Sequence, residues 1–450
     1  MAKDTIALLK NKYQGKKILV VGLGLQGGGV GIAKFFCELG AKVTVTDRKN
    51  DKALAESIEA LKGFPINFHL AGHSIDHFLD SDVIFKGPSV PWKIPEILAA
   101  EKKGIPVEME LSFFLNNFSG KVIGITGTRG KSTTTNLIFN VLQQSGFPVH
   151  LGGGLPGIST INFLKNLTEK DWVVMEMSSW ALSAFHKGKI SPHIAVFTSF
   201  YPDHLNYYRS MDDYLLDKQA IYHYQKKDDY LVINDKLKTT VNSEVLHQHV
   251  IFYSKSDFPK KPEFLRGEHN LENAAAALKV AEILKINNDK AIKIISEYKG
   301  LPFRQEIVGE KDNITFINDT TSTTPIATIK AIESFGDRPI YLILGGNSKN
   351  LPSEILVKYL EKVRKIILLS GSFTDEFAVV LQDNFKDKIL GPYDNLEKAI
   401  KKAYVCASAE IKPSYLLFSP GATSFSMFDN EFHRGREFNR IVAALIKSKN

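Results

Sequence analysis

The sequence predicts an α/β protein of three domains, each built on a parallel sheet covered by helices. Three observations predict it. Short apolar strand patterns alternate with helical ones along the whole chain, and two of those strands run straight into glycine-rich turns that open helices. The chain also has 450 residues, enough for about three domains of ordinary size. Alternation favours parallel pairing, because a parallel connection needs a crossover long enough to carry a helix.

The first expected domain spans residues 1–117. Lys17-Ile18-Leu19-Val20-Val21 is a buried-strand pattern, followed by Gly22-Leu23-Gly24-Leu25-Gln26-Gly27 and a helix pattern at Ile32 to Leu39 closed by Gly40. A second strand, Lys42 to Thr46, ends at Asp47. This βαβ unit with G-x-G-x-x-G reads as a Rossmann-like domain, in which glycines let the backbone approach a pyrophosphate at a helix N-terminus. Asp47 stands where an acidic residue meets a ribose hydroxyl. Taken alone the motif reads as nicotinamide dinucleotide binding, or as a tight turn that binds nothing. Pro106 to Leu111 reads as strand-like.

The second expected domain, residues 118–302, opens on the strand Val122 to Thr126 and the loop Gly127-Thr128-Arg129-Gly130-Lys131-Ser132-Thr133. This is a phosphate-binding loop ending in Gly-Lys-Ser, although Ile125 holds the first glycine position of the usual string. Backbone N–H groups wrap phosphates, Lys131 supplies charge, and Ser132 is placed to ligate Mg²⁺. The helix Thr133 to Gln143 follows. The domain is therefore a central P-loop ATPase domain with a parallel sheet. Glu176 ends the strand Trp172 to Met175, the usual place of a metal-serving carboxylate. Asp203 and His204 follow the strand Ile194 to Phe197. Further elements are the strand Tyr230 to Ile233, the alanine-rich helix Asn273 to Leu284, and Gly300-Leu301-Pro302 as a linker or hinge.

The third, residues 303–450, alternates again and is expected to be Rossmann-like. Its strands read as Thr315 to Ile317, Pro339 to Leu344, Lys365 to Leu369 and Tyr415 to Phe418, with a helix near Pro325 to Ser334.

Composition narrows the class. The two cysteines, Cys37 and Cys406, have no C-x-x-C partner, which argues against structural zinc or a disulfide framework. The stretch Met1 to Gly15 is polar, and no apolar run reaches the roughly 18 residues of a membrane span, so a cytoplasmic protein without membrane insertion is expected. Net charge is +8, yet the lysines are scattered, so no nucleic acid partner is expected. The charge suits anionic small molecules such as nucleotides.

The order of Thr-Gly-Thr-Arg-Gly-Lys-Ser (126–132), Glu-Met-Ser-Ser (176–179) and Tyr-Pro-Asp-His-Leu-Asn (201–206) resembles that of the Mur ligases and their folylpolyglutamate synthase relatives. So do Gly267-Glu268-His269-Asn270, Gly300 to Arg304, Asn318 to Thr321, Leu344 to Lys349 and Ser419 to Phe425. Together they span nearly the whole chain. Within that family the Rossmann-like start, Pro88-Ser89-Val90-Pro91 and Pro106 to Leu111 are most similar to the D-glutamate-adding branch.

The resemblance implies an ATP-dependent acid–amino-acid ligase acting through an acyl phosphate in peptidoglycan precursor synthesis. Its partners would be UDP-N-acetylmuramoyl-L-alanine and D-glutamate, its cofactors ATP and two Mg²⁺ ions, and its state monomeric. ATP would be held by Gly127, Thr128, Gly130, Lys131, Ser132, Thr133, Asn270, Arg304 and Asp319. Catalysis would rest on Lys131, Glu176, His204 and Lys218. The metal ligands would be Ser132, Glu176, His204 and Lys218, the last as a carbamate. The UDP-sugar would be met by Leu25, Gln26, Asp47 and Arg48, and the amino acid by Thr323, Lys349, Ser424 and Phe425.

Four positions depart from the family pattern. Arg129 stands at the usual asparagine, as it does in polyglutamate-forming relatives. Gly154 replaces an asparagine, Thr321 a lysine and Glu431 an aromatic. Another amino-acid ligase of the superfamily, a nicotinamide-dependent oxidoreductase and a non-catalytic nucleotide-binding scaffold are the alternative readings. The Rossmann-like first domain counts against the first and the P-loop against the second. The set Glu176, His204 and Lys218 counts against the third.

Overall fold

Apolar runs bounded by glycine or polar residues form the strands. The structure is a computed structural model that describes residues 2–24, 27–154, 157–204, 207–240, 246–349, 351–424 and 427–448. Among these residues, strands join into three sheets.

The first sheet holds β1 (Lys17–Val21), β2 (Lys42–Asp47), β3 (Ile66–Leu70), β4 (Val83–Lys86) and β5 (Val107–Glu108), in the order β3-β2-β1-β4-β5. All its pairings are parallel. Four of the five β1 residues are buried, as expected for a strand covered on both faces. Strand order reverses beside β1, so the glycine-rich turn leaves the sheet at a topological switch point.

The second sheet holds β6 (Lys121–Thr126), β7 (Val149–Gly153), β8 (Trp172–Glu176), β9 (Ile194–Phe197), β10 (Tyr230–Asn234) and β11 (His249–Tyr253). Its order is β11-β10-β9-β6-β8-β7, parallel throughout. Because β6 runs between β8 and β9, the segments leaving all three emerge side by side.

The third holds β12 (Glu306–Lys311), β13 (Ile314–Asn318), β14 (Ile340–Gly345), β15 (Lys365–Leu369), β16 (Ile389–Tyr393) and β17 (Ser414–Phe418), ordered β12-β13-β17-β14-β15-β16. Here the expectation of wholly parallel pairing fails at one edge, where β12 pairs antiparallel with β13. Asp312 and Asn313, both at positive φ (51° and 61°), make the two-residue turn between them. That left-handed pair matches the twist of a hairpin and needs no crossover.

Two other expectations shift. Of Pro106 to Leu111 only Val107–Glu108 is strand, and a helix runs Glu110–Asn117. Ser112 hydroxyl accepts from the backbone N–H of Met109 at 3.3 Å, which favours the helix start over a longer strand. The helix after the P-loop begins at Lys131 and runs to Gln144.

The chain divides into two compact units: Met1–Lys260 with Glu272–Ile295, and Lys261–Leu271 with Ser296–Asn450. The first unit contains both N-terminal sheets because one core runs through them. Tyr13, Phe35, Phe36, Phe85 and Phe113 belong to the same buried cluster as Ile161, Val173 and Phe185. Phe36 and Phe85 pack with ring centroids 4.6 Å apart. Burying each such ring contributes roughly 1.5–3 kcal/mol. A polar tie adds direction: Glu110 Oε1 accepts from Ser159 Oγ (2.8 Å) and Ile161 N (3.1 Å). Burial pushes the Glu110 carboxyl up to about 7. In the second unit, apolar clusters cover the two faces of the third sheet, around Leu342 and Leu417 on one and Tyr341 and Phe418 on the other.

Candidate functional site

The loop after β6 is shaped by two glycines at positive φ, Gly127 (147°) and Gly130 (86°). A Cβ on Gly127 would clash with Thr198 Oγ1, and one on Gly130 with Asn273 Oδ1. Neighbouring segments hold the loop. Thr198 Oγ1 donates to Arg129 O at 2.6 Å, and Thr128 N donates to Ser199 O at 2.8 Å. Thr134 Oγ1 donates to Asn273 Oδ1 at 3.2 Å. Thr128 is buried, its hydroxyl donating to Tyr201 O at 3.2 Å and accepting from Tyr201 N at 3.0 Å. Lys131 Nζ folds back onto Gly127 O (3.0 Å) and Thr128 O (3.3 Å). Ser132 and Thr133, in the first turn of the helix, are half-buried. A helix N-terminus with glycine-freed N–H groups is an anion site by construction.

Three expected residues from distant segments gather at this loop. Lys218, on the helix Met211–His223, is 1% exposed and donates to Gly127 O at 3.0 Å. Burial drives its amine well below the ordinary lysine range, and the Lys131 charge pushes the same way. Glu176 ends β8 beside β6, and its Oε2 is buried with no hydrogen-bond partner among the described residues. A carboxylate oxygen left this way is costly and fits a cation. His204, at positive φ (55°), donates its backbone N–H to Asp203 Oδ1 at 2.9 Å, and its Nε2 lies 3.9 Å from Asp203 Oδ2. Its ring lies 4.7 Å from that of Trp180. Asp203 also pairs with Arg129 at 3.8 Å. Among the described residues no three His, Cys, Asp or Glu side chains form a ready-made metal cluster. The expected donor set contains only two such side chains, Glu176 and His204.

At the first sheet, Gly22, Gly24 and Gly27 all take positive φ. Asp47 is buried, its Oδ2 accepting from Leu23 N (2.8 Å) and Gly24 N (3.3 Å) and its Oδ1 from Lys49 N (2.9 Å). Its first service is therefore to the glycine-rich turn itself. Arg48 is exposed. Leu25 and Gln26 lie outside the described residues.

In the second unit the loops after β13, β17 and β14 are neighbours because those strands are adjacent. Asp319 is buried, accepts from Ser419 Oγ (2.7 Å) and Gln305 N (3.1 Å), and is pushed up to about 6 by burial. Arg304 is exposed between Phe303 and Gln305, both at positive φ (65° and 51°). Asn270 is buried and donates to Arg266 O at 2.7 Å. Lys349 Nζ donates to Thr323 Oγ1 at 3.0 Å, bringing two residues expected at the amino acid together. Ser424 is 3% exposed and its hydroxyl has no hydrogen-bond partner among the described residues. Phe425 lies outside the described residues.

Several residues of these sites escaped the sequence reading. Asn273 sits three positions beyond Asn270, but only the fold brings it under Gly130. Lys86 ends an apolar strand and is 1% exposed. Its amine donates to Val90 O at 2.9 Å and lies 4.3 Å from the Trp92 ring centre. Lys187 covers the same ring at 3.9 Å. Arg434 is also buried. A lysine ending an apolar strand was the one signal available for these.

Comparison with known proteins places the chain in a family. The Mur ligase middle domain model matches residues 125–265, and the Mur ligase MurD-like, N-terminal domain model matches residues 16–108. A UDP-N-acetylmuramoylalanine--D-glutamate ligase from Roseiflexus sp. is 34% identical, covering 95% of this chain and 98% of the relative. One of the same name from Acetivibrio thermocellus is 31% identical, covering 97% and 98%. The crystal structure of MurF ligase from Thermotoga maritima in complex with ADP shares the fold, with a TM-score of 0.59 at 18% identity over 97% of each chain. With identity above three tenths across nearly the full length of both chains, the protein belongs to the Mur ligase family.

Proposed function

We infer that this chain is an ATP-dependent ligase that adds D-glutamate to UDP-N-acetylmuramoyl-L-alanine, in peptidoglycan precursor synthesis. The names of its near-full-length relatives support the substrates. The observation that carries the chemistry is the P-loop, where a buried amine, Lys218, and the Lys131 ammonium meet at one carbonyl beside the unpaired oxygen of Glu176.

The chain falls into three domains, 1–117 for the UDP-sugar, 118–302 for ATP and 303–450 for the amino acid. It acts as a cytoplasmic monomer. Leu25, Gln26, Asp47 and Arg48 meet the UDP-sugar. The backbone of Gly127 to Thr133 wraps the phosphates, with Asn270, Arg304 and Asp319 serving the rest of the nucleotide. Ser132 and Glu176 would hold one Mg²⁺, and His204 and Lys218 would hold a second. For that, the Lys218 amine adds to CO₂, forming an N–C bond and losing a proton, which makes it an anionic ligand. Magnesium, when bound, offsets charge on phosphoryl oxygens.

The substrate carboxylate attacks the γ-phosphorus of ATP, ADP leaves, and an acyl phosphate forms. Lys131 places its ammonium where phosphoryl oxygens gain charge. The amine of D-glutamate then attacks the acyl carbon, phosphate leaves with its bonding pair, and the amine proton is released. Thr323, Lys349, Ser424 and Phe425 orient the amino acid.

The test is phosphate release from ATP with UDP-N-acetylmuramoyl-L-alanine, with the amino acid varied. Release that requires both the UDP-sugar and D-glutamate is expected. Release driven by a folate and L-glutamate instead would move the chain to the polyglutamate-forming relatives.

A further inference from the structure

Arg434 is 1% exposed, a complete guanidinium inside the second unit. It lies one turn into the helix Glu431–Lys447. Its partners are two segments at the end of the third sheet. Nε donates to Thr320 Oγ1 and Nη2 to Thr320 O, each at 2.8 Å. Nη1 and Nη2 both donate to Ala422 O at 3.2 Å. Four donor contacts thus tie the loop after β13 to the loop after β17. Among the described residues no carboxylate lies within ion-pair distance of it. Isolated burial of a cation is costly, so such a group persists only where its hydrogen bonds fix something.

What it fixes is specific. Thr320 follows Asp319 and leads to Thr323, whose hydroxyl receives the Lys349 ammonium. Ala422 precedes Thr423, which exchanges backbone hydrogen bonds with Asn347 (3.0 and 2.9 Å), and then Ser424 with its unpartnered buried hydroxyl. The helix is seated closely: Thr320 Oγ1 donates to Glu431 O at 3.2 Å, Asn318 Nδ2 donates to Gly435 O at 2.9 Å, and a Cβ on Gly435 would come within 2.7 Å of Thr320 Cγ2. A rigid planar fork sets the separation of two carbonyls, which a lysine's single flexible ammonium does not.

We propose that Arg434 is a positioning residue for the amino acid: its guanidinium holds the 318–324 and 419–424 segments at the spacing that lets Ser424 Oγ and the Thr323–Lys349 pair grip the incoming amino acid together. The inference rests on the reading of the chain as an amino-acid ligase. It assigns Arg434 no contact with substrate. Thr321 is engaged elsewhere, its hydroxyl donating to Phe303 O at 2.8 Å.

The experiment compares the full-length wild type with Arg434→Met, Arg434→Lys and the milder Thr320→Val, which removes the acceptor of Nε and the hydroxyl's bond to Glu431 O but keeps the guanidinium and its three other contacts. Michaelis constants are measured for ATP, the UDP-sugar and D-glutamate. Acyl phosphate is trapped with hydroxylamine in the absence of amino acid. In Arg434→Met and Arg434→Lys the KM for D-glutamate should rise about tenfold or more, since buried partners are left unpaired. A smaller rise is expected in Thr320→Val. The yield of acyl phosphate trapped at saturating ATP should stay within about twofold in each variant, because the phosphate-binding loop is untouched, and any rise in the KM for ATP through the neighbouring Asp319 should stay well below that for D-glutamate. Parallel loss of all three Michaelis constants, or an unchanged KM for D-glutamate in every folded variant, overturns the proposal. If Arg434→Met and Arg434→Lys do not fold, Thr320→Val decides. If the wild type rejects D-glutamate, the substrate reading fails by itself, and the same comparison is made with the amino acid it does accept.

Discussion

Lys131 and Lys218 donate to one acceptor, the carbonyl oxygen of Gly127, each at 3.0 Å. Two ammonium groups on one carbonyl repel, and the repulsion favours proton loss from the more buried of the two. Burial first, and the Lys131 charge second, depress Lys218. That direction favours the neutral Lys218 amine, whose lone pair is nucleophilic, beside the half-buried Lys131.

Replacing Lys131 by alanine should therefore remove acyl-phosphate formation. A fall of roughly 10³-fold in turnover is expected for a group that offsets phosphoryl charge. Single-turnover trapping with hydroxylamine measures it. A loss smaller than about tenfold would remove the P-loop from the reaction.

Lys218→Ala should be nearly inactive and should regain part of its activity with formate or acetate, which can refill an anionic ligand position. In the wild type, labelled bicarbonate should give a carbamate carbon signal that Lys218→Ala lacks. Absence of both the signal and the rescue would rule out the modified lysine.

Lys86 yields a pH dependence. Burial, with the Lys187 charge second, lowers its amine to about 7. The folded state then binds fewer protons than the unfolded state from about pH 7 up to the ordinary lysine value near 10.5. Stability therefore rises with pH across that window, by at most roughly 1.4 kcal/mol per unit for one proton. Urea unfolding of wild type and Lys86→Met should show a stability difference that shifts in favour of the wild type between pH 7.5 and 9.5. A pH-independent difference would mean that the amine stays charged in the folded protein.

Lys349→Ala should raise the KM for D-glutamate about tenfold, leaving a side-chain carboxylate without its cation. With the wild type at equal concentrations, D-glutamate should support faster phosphate release than L-glutamate, D-aspartate or L-lysine. Equal rates with both glutamate enantiomers would refute the assignment of the pocket to D-glutamate.

The sequence by itself determined the elements and the local sites, because these are short-range. Apolar runs such as Lys365–Leu369 became strands where they were read. Glycines needing positive φ marked the two glycine-rich turns, and Glu176 was legible because it ends a buried strand beside the P-loop strand. The antiparallel β12 was not legible, since a left-handed Asp312-Asn313 turn has no signature stronger than the alternation around it. Neither was the end of the Pro106 to Leu111 segment, where a capping serine outweighed strand-like patterning. Only the tertiary structure decided that Lys218 is a buried amine, that Asn273 closes on Gly130, and that Arg434 ties two loops together. A lysine or arginine in an ordinary helix reads as a solvated charge until the fold removes the water around it. Desolvation is set by everything packed nearby, which no local pattern encodes.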